Sequence, residues 1–63
     1  MTSEEKNKVS KLLTNASVSI EVVLDEMEHY SIDNTINDPH EFAKIYCILK
    51  NLKEYCYSQN EKL

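Results

Sequence analysis

The chain has 63 residues, a formal net charge of −4, no glycine, one proline, no tryptophan and no arginine. A chain this short buries only about 60% of the surface its unfolded form exposes, so a lone fold is marginal and a walled catalytic cleft is hard to fit. With 29% charged residues it is no membrane span, and an acidic chain without arginine lacks the usual bidentate reader of guanine and phosphate.

From the first residues onward the pattern is helical. Thr2 and Glu5 form a Thr-x-x-Glu capping box, which satisfies two amides at a helix start. Behind it Val9, Leu13, Ala16, Ile20, Val23, Met27 and Tyr30 recur at alternating steps of four and three. That is a heptad seam with Leu13, Ile20 and Met27 at a and Val9, Ala16, Val23 and Tyr30 at d. It predicts a first helix over about residues 3–30. The stretch from Ser31 to Asn37 carries Asp33, Asn34 and Thr35 and breaks the period.

Asp38-Pro39-His40-Glu41 then reads as a second helix start, with an Asp N-cap, proline at the first helical position and a glutamate three residues after the cap. Phe42, Leu49, Cys56 and Leu63 follow at a, and Ile45, Leu52 and Gln59 at d. The second helix is predicted over about residues 39–59. Two helices joined by so short a connection lie antiparallel. Paired outward from the loop, Tyr30 meets Phe42, Met27 meets Ile45, Val23 meets Leu49 and Ile20 meets Leu52. Ala16 with Cys56, Leu13 with Gln59 and Val9 with Leu63 complete the series. The fold class is therefore all-α: a single helical-hairpin domain over residues 1–63.

A hairpin has a contact line but no enclosed interior. Leu12, Leu24, Tyr46, Ile48 and Tyr55 fall at e and g, outside the seam, where burial of a large apolar side chain is worth about 1.5–3 kcal/mol. A second copy packed face to face would cover them and make a four-helix bundle crossing at about 20°. The expected dimer interface is Leu12, Ala16, Leu24, Tyr46, Ile48 and Tyr55; the alternative is a docking strip for an unlike chain. Ser10, Ser17 and Ser19, also at e or g, would permit close approach of two first helices, or simply rim an exposed face.

Charge is segregated. The segment from Glu21 to Glu41 holds seven acids and no lysine, and all seven lysines lie outside it. A solvated helix face accounts for such a run. The functional reading is an acidic end, Asp25, Glu28, Asp33, Asp38 and Glu41, steering toward a basic protein partner.

Other chemistry finds little footing. Glu26-x-x-His29 has the spacing of di-iron bundles, but Met27 takes the core position and places His29 on the surface. A surface zinc on His29, His40 and nearby acids is the remaining metal candidate. Cys47 and Cys56 are nine residues apart, on opposite helix faces, and cannot bond to each other; Cys56 reads as a core residue and Cys47 as exposed. No nucleophile has a neighbouring base, and no glycine loop can cradle a phosphate. Tyr55 and Tyr57 with Lys50 and Lys53 are a thin basis for base stacking, since Glu54 interrupts the patch. No enzyme activity, cofactor or metal is expected. With no apolar leader behind the opening residues and only two cysteines, a cytoplasmic location is expected.

In size, two helices, short connection, two cysteines and an opening Met1-Thr2 with Glu5-Lys6, the plan resembles the Rop-like plasmid regulators, small RNA-binding dimers of helical hairpins. The resemblance covers the whole chain in architecture and implies a Rop-like bundle. It does not carry the RNA-binding residues across. The outer face of the first helix reads Asn7, Lys11, Thr14, Asn15, Val18, Val22 and Asp25, without a continued basic stripe. A protein-binding homodimer is the leading expectation. An RNA-binding regulator using Lys6, Lys8, Lys11 and Lys53 is the alternative, and an assembly subunit for an unlike chain is the third reading.

Overall fold

A computed structural model describes residues 1–32 and 36–63. It contains two helices, α1 over Ser3–Ile32 and α2 over Pro39–Lys62, packed as an antiparallel hairpin. The rod measures 47 × 15 × 12 Å. The start of α2 uses the expected cap. The box ahead of α1 closes through the Thr2 hydroxyl rather than the Thr2 backbone amide, and so satisfies one amide where two were expected. Ahead of α1 the Glu5 amide donates to Thr2 Oγ1 at 3.2 Å, while the Thr2 hydroxyl donates to a Glu5 carboxylate oxygen at 3.2 Å. Ahead of α2 the Glu41 amide donates to Asp38 Oδ1 at 3.1 Å, with Pro39 in the first turn. Helix α2 runs three residues beyond the expected end at Gln59, and its last turn closes with the Leu63 amide on the Asn60 carbonyl at 3.3 Å.

The axial register agrees with the expected pairing. Ser10 and Asn60 lie between the Val9–Leu63 and Leu13–Gln59 pairs, and their side chains meet: the Ser10 hydroxyl donates to Asn60 Oδ1 at 2.6 Å. The Asn60 amide donates to the Thr14 hydroxyl at 3.2 Å, which in turn donates to the Ser10 carbonyl at 2.9 Å. This closed ring ties the two helices together at the end of the rod that carries the chain termini.

Rotation about each helix axis differs from expectation. The a positions remain in or near the contact, but the other half of the seam is e rather than d. Ser17 is 1% exposed, Leu24 4%, Met27 8% and Cys56 6%. Val23, Tyr30, Ile45 and Leu52, all expected to face the partner helix, are exposed. The a–d pairs Tyr30–Phe42, Met27–Ile45, Val23–Leu49 and Ile20–Leu52 thus lose one member each to the surface. The e side brings Leu24 into the contact beside Met27, and Ser17 can be buried there because its hydroxyl hides its polarity by donating to the Leu13 carbonyl one turn back at 2.8 Å.

Candidate functional site

Rotating the seam onto a and e leaves d and g of both helices on one open side. Leu12, Val23 and Tyr30 from α1 stand exposed there, with Ile45, Ile48, Leu52 and Tyr55 from α2. Ala16 is half-buried at the same edge. Residues i, i+3, i+4 and i+7 share one helix face, so Ile45, Ile48, Leu52 and Tyr55 form an unbroken ridge along α2. Scattered exposed leucines need no explanation, but a continuous apolar strip does.

Of the six residues expected at the dimer interface, the structure keeps Leu12, Ala16, Ile48 and Tyr55 on or beside this open face. Leu24 and Tyr46 correct the expectation that they lack a partner inside the hairpin. Leu24 is among its most buried side chains, and Tyr46 is half-buried with its hydroxyl donating to Glu28 Oε1 at 2.8 Å. Ser10 and Ser17 likewise serve the contact between α1 and α2, whereas Ser19 is exposed. The strip also contains Val23, Ile45 and Leu52, which a seam of a and d had assigned to the hairpin itself.

The acidic end divides into residues with different tasks. Asp25, Glu28, Asp38 and Glu41 are all exposed. Asp38 is engaged in capping α2, and Glu28 accepts the Tyr46 hydroxyl. That hydrogen bond holds the Tyr46 phenol above its ordinary value, with partial burial and the Glu28 and Asp25 carboxylates acting in the same direction. Asp33 lies outside the described residues. By heptad position Glu21, Asp25 and Glu28 fall at b and f, away from the apolar strip, whereas Glu26 and Glu41 fall at g, along its rim.

At this end Met27, Glu28, Ile36, Pro39, Phe42, Ala43 and Tyr46 line a shallow hollow. Among the described residues no group of three or more histidine, cysteine, aspartate or glutamate side chains is close enough to hold a metal ion. His29 and His40 are both exposed. Cys47 is exposed and Cys56 buried, each as a free thiol. No described helix is long and apolar enough to cross a membrane.

Comparison with protein-family models, curated proteins and solved structures finds no match to this chain. What defines it is an antiparallel helical hairpin with an apolar strip on one side and carboxylates concentrated at the loop end.

Proposed function

We propose that the chain is a small non-enzymatic binding protein. Two copies join through the apolar strip as a four-helix bundle, and the outward acids of the loop end engage a protein partner with a basic surface. The observation that carries this reading is the strip itself. The chain as a whole exposes 5064 Å², against about 4,200 Å² for a compact monomer of this mass, as an open rod of two helices does.

Sedimentation equilibrium of the full chain at micromolar concentration tests the assembly, with a two-chain mass expected; a one-chain mass would reject it. The partner-facing surface is tested separately, by Asp25→Asn with Glu28→Gln in a binding measurement against the partner from the native host. Affinity should fall in the variant and with added salt. Binding indifferent to both would remove the acidic surface from the reading.

An RNA-binding regulator has less support. Of the lysines it would use, Lys53 is half-buried.

A further inference from the structure

We propose that the hollow at the loop end receives one arginine side chain of the basic partner, with its methylene stem on the apolar wall and its guanidinium on the Glu28 carboxylate. This deepens the reading of the loop end as a partner-facing surface and rests on it. The hollow holds about 280 Å³, at the lower edge of the range for whole small molecules, about 300–1,000 Å³, and suits a single long side chain. Its wall is apolar along Met27, Ile36, Pro39, Phe42 and Ala43, and Glu28 is its one charged residue. Glu28 Oε1 accepts the Tyr46 hydroxyl at 2.8 Å. A carboxylate has about four lone-pair sites, so one phenol leaves room for further donors. An occupant that uses the whole hollow therefore brings an apolar stem and a cation together. Arginine does both: its stem lies along apolar surface, while its planar head forks onto a carboxylate and stacks on rings such as those of Phe42 and Tyr46.

The side of the rod matters as much as the wall. By heptad position Met27 and Phe42 stand at a, Glu28 and Ala43 at b, and Pro39 and Tyr46 at e. None belongs to the d and g strip, so the hollow stays open when a second copy covers that strip, and each dimer carries two such sites. The lysines near the loop end do not cancel its charge. Exposed Lys44, at c, stands about 160° around α2 from both Phe42 and Tyr46. Exposed Lys50, at b, lies one turn beyond Tyr46 toward the chain termini, where Glu21 of α1 is level with it across the hairpin. Asp25 supplies a second carboxylate that acts on Tyr46 beside Glu28. Glu41, at g, belongs to the rim of the strip and takes no part in the hollow.

The probe is a short, end-capped glycine–serine peptide with one central arginine, titrated into the full chain at low salt and followed by nuclear magnetic resonance. Saturable shifts centred on Met27, Ala43 and Tyr46 are expected. Affinity should fall about tenfold in Glu28→Gln, and as much when citrulline, which keeps the shape of arginine without its charge, replaces it in the peptide. Ala43→Phe tests the hollow itself, because Ala43 is exposed and the larger side chain fills the space without removing an acid. It too should lose about tenfold, whereas Ala43→Ser should bind as the parent does. Equal affinity in Ala43→Phe would overturn the hollow as the site. If Asp25→Asn with Glu28→Gln still weakened binding to the native partner, the acidic surface would stand without it. Equal affinity for the citrulline peptide, or for a lysine peptide, would overturn the guanidinium–carboxylate fork. Absence of saturable shifts with the arginine peptide would overturn the proposal outright and leave the acidic surface to the partner measurement alone.

Discussion

The Tyr46 hydroxyl and the Glu28 carboxylate, 2.8 Å apart, join the two helices near the loop end. Because the hydrogen bond favours the protonated phenol, Tyr46 titrates above its ordinary value of about 10. The unfolded chain then releases this proton first as pH rises, so the stabilisation is complete below the ordinary tyrosine value. It is lost as pH climbs through the folded one. Glu28→Gln is expected to move the Tyr46 transition to lower pH, read as the difference in tyrosinate absorbance from a chain carrying Tyr46→Phe. A transition unmoved by Glu28→Gln would mean that the contact does not persist in solution. Asp38 is the other residue with a single definable task. Asp38→Ala removes the cap on the Glu41 amide and should cost about 1 kcal/mol, measured as a lower urea midpoint. Asp38→Asn retains an acceptor and should recover most of that loss.

Between the helices, stability rests on small side chains as much as on large ones. Ser17 is buried to 1% exposure and satisfied by its own helix, so Ser17→Ala should be nearly neutral. Ser17→Leu forces the helices apart and should cost about 1–3 kcal/mol, visible in a denaturant titration. Equal stability for the two variants would contradict the close contact. The helix starts were readable in advance because Thr2, Glu5, Asp38 and Pro39 act through local hydrogen bonds and fixed backbone geometry. The axial register was readable from the loop length and the heptad spacing. The rotation was not. A heptad marks a broad apolar face, and Val23 or Ile45 at d looks a better seam residue than Ser17 or Lys53 at e. Hydrophobicity alone does not say which side of the a ridge meets the neighbouring helix of the same chain. The missing information was steric, namely that Ser17 and Leu24 at e fit into the contact together. For the same reason the open apolar side was legible at Leu12, Ile48 and Tyr55, whereas Leu24 and Tyr46 serve the hairpin itself.

For the whole molecule, the proposed dimer would make folding and association one problem. If a second copy covers the open strip, stability follows mass action and the thermal midpoint rises with protein concentration. A circular-dichroism melt repeated over a hundredfold range of dilution should show that rise, and a midpoint independent of concentration would speak against a dimer. Ile48→Glu with Tyr55→Glu places charge in the middle of the strip and should yield a one-chain mass with reduced helix content. A variant still dimeric would mean that these positions lie outside the contact.

The hairpin's own interior has a consequence for how such a chain lives in a cell. Among the described residues only Ser17, Leu24, Met27 and Cys56 are buried. A single chain holds its helices with little more than these side chains and a few hydrogen bonds. If a second copy covers the strip, chains too sparse to pair are protease substrates first. Such a protein would have a threshold: below a certain rate of synthesis it is cleared, and above it the proposed dimer accumulates. Doubling expression near that point would more than double the amount of working molecule. Pulse-chase lifetimes at graded induction would reveal the threshold as a lifetime that lengthens with abundance.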